Sequence, residues 1–315
     1  MTHQPHKKRR SVNIRQIAEL CNVSIATVSR AINHPEKVTP ELYERIQKVI
    51  AEHNYIPNEL AKQLFARDSK SLGLFVYDIA NPFFTMLIQR LNELAFDRDY
   101  TLIICDTKND VQRESKYLKY LQGIQVSALI LTEGIPFALV REIAGSIPCV
   151  SIDRMVEMPR GSDIPVITSD NFGGAALAVD HLVSLGHRKI AVAGVQDVVS
   201  SLRRFEGFQA AMQRHGLGVP QEYICRADNM NIKSGVCALD HLLSLPDAPT
   251  AVLCTNDLVA QGVIQRAFSC GLGIPAQLSV VGFDGILGDT YYPQLTTVKQ
   301  DVDKAAQIAI NTALN

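Results

Sequence analysis

Polar and aromatic side chains recur just past short apolar runs. Asn81, Phe83 and Phe84 follow Leu72–Tyr77, and Asp153 and Arg154 follow Cys149–Ile152. Asn256 follows Ala251–Cys254, Asp284 follows Ser279–Phe283, Gln300 follows a further short run, and Arg204 opens a helical region. Carboxylates, amides and guanidinium groups can together hold vicinal hydroxyls, while aromatic faces cover the apolar faces of a sugar ring. The same charges could instead pair with one another, with Asp153, Arg154 and Arg204 forming inter-strand ion pairs that need no ligand. Covalent chemistry has no comparable support. No GxGxxG, P-loop, GxSxG or HExxH pattern occurs, so neither an enzyme nor a cofactor or metal site is expected.

A second constellation lies near the N-terminus. Asn13 and Gln16 form a capping-box pattern, and Ile14, Ile17, Ala18 and Cys21 line one helical face. A turn at Asn22-Val23 leads to Ser24, which can cap a second helix. On that helix Val28 and Ile32 face inward at a spacing of four, leaving Ile25, Ala26, Ser29, Arg30 and Asn33 outside. A short helix showing small, polar and basic groups from its N-terminal end suits a DNA major groove. Thr39 and Pro40 open a third helix whose stripe is Leu42, Ile46, Val49 and Ile50. Asn58 can cap a two-turn helix through Ala66, too short to be stable alone in water.

The elements that position the first constellation alternate. Apolar runs at 72–77, 101–105, 128–131, 149–152, 166–169, 189–193, 251–254 and 279–283 are separated by helical periods at 82–98, 111–121, 172–185, 202–215, 232–245 and 258–270. Strand–helix alternation predicts parallel sheets covered by helices, in too many units for one small sheet. Ligands in such folds bind beyond the carboxyl ends of the strands, where these polar residues stand. The expected class is therefore α/β, an all-α helix-turn-helix head followed by a two-subdomain parallel-sheet core.

Charge distribution agrees with that division. Residues 1–70 carry 12 Lys/Arg against 7 Asp/Glu, and the remainder carries 19 against 25. A basic head on an acidic body is the footprint of a nucleic-acid-binding module joined to a regulatory domain. Lys7–Arg10 form either a solvated arm or one that tracks phosphates. No apolar stretch follows that basic cluster as in a secretory signal, and none approaches the ~18 residues needed to cross a membrane. The seven cysteines are scattered and never spaced as CxxC, which predicts reduced thiols and a cytoplasmic protein.

The chain resembles the LacI/GalR family of bacterial transcription regulators. The resemblance is carried by Val23-Ser24, Ala26-Thr-Val-Ser-Arg30, the junction Asn54-Tyr-Ile-Pro-Asn58, and the short segment bearing Ala61 and Leu64. In the body it is carried by Asn81-Pro-Phe-Phe84, Asp153-Arg154, Gly186-His187, Arg204-Phe-Glu-Gly-Phe208, Thr255-Asn-Asp257, Gly282-Phe-Asp284 and Leu295-Thr-Thr-Val-Lys-Gln300. The resemblance implies a head over residues 1–57, a hinge helix and linker over 58–70, and a periplasmic-binding-protein-like core. In that core 71–168 with 297–315 would form one subdomain and 169–296 the other. Family members usually continue through a final strand or two, whereas this sequence stops at Asn315 inside a predicted helix.

Function follows from the same resemblance. It implies a homodimer that binds near-palindromic operator DNA and represses sugar-utilisation genes, with a small sugar controlling affinity as inducer or co-repressor. Ile25, Ala26 and Arg30 would face base edges, Ser24 and Thr27 would hold phosphates, and Ser29, Asn33 and Asn58 complete the DNA surface. Leu64 would wedge into the minor groove with Ala61 allowing close helix approach, whereas without the resemblance packing against the body is the favoured reading. The effector set of Asn81, Phe83, Phe84, Asp153, Arg154, Arg204, Asn256, Asp284 and Gln300 resembles the ribose-binding branch, which points to ribose or another pentose. A third aromatic of that branch is replaced by Asn229 or Met230. Two alternatives are a catabolite-control-type regulator whose co-regulator is a phosphorylated carrier protein, and a sugar-binding transport component.

Overall fold

The first helix begins on a reciprocal cap. In a computed structural model describing residues 12–55, 69–108, 110–132, 140, 142, 145, 147–153, 164–287 and 294–315, Asn13 Oδ1 accepts the Gln16 amide and Gln16 Oε1 accepts the Asn13 amide, both at 3.0 Å. Helix α1 (Ile14–Leu20) ends with Asn22 at φ 49° and the Val23 amide bonded to the Ala18 carbonyl, a Schellman closure with asparagine in the left-handed position. Helix α2 (Ile25–Asn33) is capped by Ser24, whose hydroxyl accepts the Thr27 amide. Helix α3 (Pro40–Glu52) starts at Thr39, but the threonine hydroxyl makes no capping bond there; Pro40, with φ already fixed, sets the first turn. Ile17, Ala18, Cys21, Val28, Ala31, Ile46 and Tyr55 form the core of this head. Ala31 is fully buried while Ile32 is half-buried, so the inner face of α2 centres one residue earlier than the Val28/Ile32 spacing predicts.

Contacts divide the chain into two units, residues 1–67 and 68–315. The second holds two five-stranded sheets in which every pairing is parallel. The first has the order β2-β1-β3-β4-β5, from β1 (Ser71–Val76), β2 (Thr101–Asp106), β3 (Ala128–Leu131), β4 (Cys149–Ile152) and β5 (Val166–Ile167). The second has the order β10-β9-β8-β6-β7, from β6 (Ile190–Val195), β7 (Ile224–Arg226), β8 (Ala251–Cys254), β9 (Ser279–Asp284) and β10 (Thr296–Lys299). Strands β3, β6 and β8 are buried along their whole length, as parallel strands covered on both faces must be.

Helices α4 (Pro82–Phe96) and α10 (Val302–Leu314) cover one face of the first sheet, Leu87 and Leu91 meeting Ala306 and Ile310 in one core. Helix α5 (Val111–Gly123) packs Leu118 and Leu121 on the other face. On the second sheet, α6 (Asn171–Ser184) and α7 (Val199–Arg214) take one face, and α8 (Ile232–Leu243) and α9 (Asp257–Ser269) the other. The last pair is in backbone contact: a Cβ on Gly262 would lie 2.0 Å from the Ile232 carbonyl oxygen. The return to the first lobe, expected at residue 297, comes after Lys299, because β10 pairs with β9 from Val281 to Asp284.

Candidate functional site

The carboxyl ends of both sheets line one cleft of about 390 Å³ within the second unit. Asn81, Phe83, Phe84 and Asp153 reach it from the first lobe, Arg204, Asn256 and Asp284 from the second, and Gln300 from the return crossing. Eight of the nine residues expected to bind an effector are thus brought together; the ninth, Arg154, lies outside the described residues.

Arg204 is the centre of the polar array and only 5% exposed. Its Nε donates to Asn171 Oδ1 at 2.8 Å, and its Nη1 donates to the Thr255 carbonyl at 2.5 Å and lies 3.1 Å from Asp284 Oδ1. The guanidinium also stacks over the Phe283 ring, 3.8 Å from the centroid. Asp284 Oδ1 accepts Gln300 Nε2 at 2.8 Å, and Gln300 Oε1 accepts the Ser169 hydroxyl at 2.6 Å. Burial pushes the Asp284 carboxyl up to about 7, against the opposing pull of the Arg204 charge. Arg204 thus has an acidic partner, but it is Asp284 at the cleft wall, not one of the residues among which sequence reading leaves ion pairs open. Asn171 and Thr255, which orient Arg204, carry no signal in the sequence that marks them for this role.

The remaining groups are held by local backbone. Asn81 caps α4 through the Phe83 amide, and Asn256 caps α9 through the Val259 amide. Asn256 Nδ2 also donates to the Met230 carbonyl, so the loop bearing Asn229 and Met230 is tied to the cleft wall where an aromatic is lacking. Asp153 has φ 56°, and its Oδ1 accepts the Thr168 hydroxyl and the Ser169 amide. Phe83 and Phe84 meet edge to face at 5.4 Å, Phe84 turned into the lobe core and Phe83 half-buried beside it. Two further polar residues, His187 and Asp106, make contacts of their own. His187 bonds Thr250 and Ser279 through its two ring nitrogens, and Asp106 accepts the Ile79 amide and faces Lys108. Among the described residues no His/Cys/Asp/Glu cluster is arranged for a metal, and no helix is long and apolar enough to cross a membrane.

In the head, Ser24, Ile25, Ala26, Arg30 and Asn33 are exposed, and Thr27 and Ser29 are half-buried. The Ser24 and Thr27 hydroxyls bond each other at 2.8 Å, and Asn33 Nδ2 donates to the Ser29 carbonyl. Asn58, Ala61 and Leu64 lie outside the described residues.

A family model described as bacterial regulatory proteins, lacI family, matches residues 13–58, and one described as a periplasmic binding protein-like domain matches residues 179–315. The ribose operon repressor of Escherichia coli (strain K12) is 32% identical over 304 residues, covering 96% of this chain and 92% of its own length. The chain belongs to the lacI family of bacterial regulatory proteins. As a lacI-family member it is a DNA-binding transcriptional repressor with an α/β, periplasmic-binding-protein-like core. The lac repressor dimer bound to operator and the anti-inducer ONPF is similar in structure, with a TM-score of 0.85 and 28% identity over 97% of this chain and 92% of that one. A lacI-family regulator from Enterococcus faecium with bound ribose gives a TM-score of 0.68 at 25% identity, over 78% of this chain and 89% of that one.

Proposed function

We propose that this repressor is a cytoplasmic homodimer whose affinity for a near-palindromic operator is set by a pentose, ribose foremost, bound in the interlobe cleft. The carrying observation is the buried Arg204–Asp284–Gln300 array beside Asn81, Asp153 and Phe83. Its fixed donors and acceptors suit vicinal hydroxyls, and Phe83 offers a face for the ring. The contacts account for three of the five guanidinium hydrogens, on Nε and Nη1, which leaves Nη2 for a ligand oxygen. The ribose operon repressors among its relatives and the ribose-bound family structure support the same ligand class.

In the head, Ile25, Ala26 and Arg30 read base edges, Ser24 and Thr27 hold phosphates, and Ser29, Asn33 and Asn58 complete the surface. Ala61 and Leu64 act in the minor groove. An Arg30–guanine pair contributes roughly 1–3 kcal/mol of base discrimination. The test is a thermal-shift and calorimetric screen of the full chain with ribose, other pentoses, hexoses and their phosphates, followed by operator binding with and without the hit. A shift with one pentose, abolished by Arg204→Met, is expected. No response to any pentose overturns the reading and brings a carrier-protein co-regulator forward.

A further inference from the structure

Asp257 follows the cap residue Asn256 in the Thr255-Asn-Asp257 motif but is not among the residues expected to touch an effector. It is completely buried. Its Oδ1 accepts the Thr297 hydroxyl at 2.6 Å, its Oδ2 accepts the Ile286 amide at 2.8 Å, and the Gly285 amide also donates to it. Burial pushes this carboxyl up, and those three bonds draw it back.

The donors lie on two separate segments. Gly285 and Ile286 directly follow Asp284, and Thr297 is on β10, three residues before Gln300. Asp257 itself opens α9 next to Asn256. One carboxylate therefore ties together the three stretches of chain that present Asn256, Asp284 and Gln300. Asp284 sits at φ 113° and Gly285 at φ 78°. A non-glycine residue keeps such a conformation only where its surroundings hold it. The strand makes room for this: a Cβ on Gly282 would lie 2.2 Å from Asp257 Oδ1.

We propose that Asp257 is the positioning residue of the effector site, its carboxylate fixing where Asp284 and Gln300 stand relative to Arg204. The proposal rests on the cleft being a pentose site. An acceptor at this position must face two backbone amides and one hydroxyl. Alanine abandons all three. Asparagine can turn its carbonyl to the amides and donate its NH2 to Thr297 Oγ1, because a hydroxyl also accepts.

The experiment measures ribose affinity by calorimetry on the full chain, and backbone hydrogen exchange over 282–287 and 296–300 without ligand. Asp257→Ala is expected to weaken ribose about tenfold or more and to speed exchange in both segments, and Asp257→Asn to restore most of both. Thr297→Val removes one bond without opening the site; it is expected to weaken ribose about fivefold, with Thr297→Ser close to wild type. This second pair decides the matter if Asp257→Ala does not fold. Wild-type affinity and wild-type exchange in both Asp257→Ala and Thr297→Val overturn the proposal. If the wild type itself binds no pentose, the function proposed for the cleft fails, and the exchange data still test what Asp257 holds in place.

Discussion

Replacing Asp284 with asparagine should change how stability depends on pH. The Asp284 carboxyl is pushed up to about 7 by burial, against an ordinary value of 3.8. Between those values the folded protein holds a proton that the unfolded chain has lost, so stability falls as pH rises through the window. The slope flattens near pH 7, where the folded carboxyl is half ionised, so the loss from pH 5 to pH 7 is roughly 2 kcal/mol. Above pH 7 the folded carboxyl ionises too and the slope ends. Asp284→Asn does not titrate. Its amide is neutral, like the protonated carboxyl, and so lacks the slope. The unfolding free energy of the wild type should therefore fall by roughly 2 kcal/mol relative to the variant from pH 5 to pH 7. Urea unfolding of both proteins at pH 5, 6, 7 and 8 measures it. His187, which burial makes harder to protonate, is common to both proteins and cancels. Parallel stability curves would refute the account of a carboxyl kept protonated by burial beside Arg204.

Other perturbations act away from the cleft. Ser151 is buried in β4 and its hydroxyl has no hydrogen-bond partner among the described residues, so Ser151→Ala should stabilise by about 1 kcal/mol, seen as a rise in melting temperature. Asn13→Ala removes the reciprocal cap of α1 and should cost about 1 kcal/mol, read as roughly fivefold faster amide exchange across residues 14–20. Gly262→Ala forces α8 from α9 and should cost about 1–3 kcal/mol in urea unfolding. Gly123→Ala, with open space around the new methyl in α5, should instead gain up to about 1 kcal/mol in the same assay.

The sequence is most legible where burial on both faces leaves a strand no choice. β3, β4 and β8 coincide with their apolar runs, and the helices between strands lie within a few residues of their predicted spans. The two strands without a clear apolar run lack that signal. β7 has three residues, with Cys225 alone buried, and β10 is an edge strand with no fully buried position. The cleft residues are legible because parallel topology sends every strand end to the same side. Their supports are not. Asn171 meets Arg204 from 33 positions away, and Thr297 meets Asp257 from 40, distances over which periodicity carries no information. Thr39 shows the limit of local rules: residue type and place suit a cap, yet the bond is absent.

The last helix bears on the order in which the chain is made. Val302, Ala306, Ala309, Ile310 and Ala313 share a core with Leu72, Leu74, Leu91 and Ile130, so the first sheet is finished by residues synthesised after the whole second lobe. The second sheet draws all its strands and helices from 171–299. On a ribosome, the lobe that begins later in sequence has all its parts first, while the earlier lobe waits with Leu87, Leu91 and Ile130 uncovered until α10 emerges. A chain cut short before residue 302 would carry that apolar face permanently, and aggregation through the first lobe would be its characteristic failure.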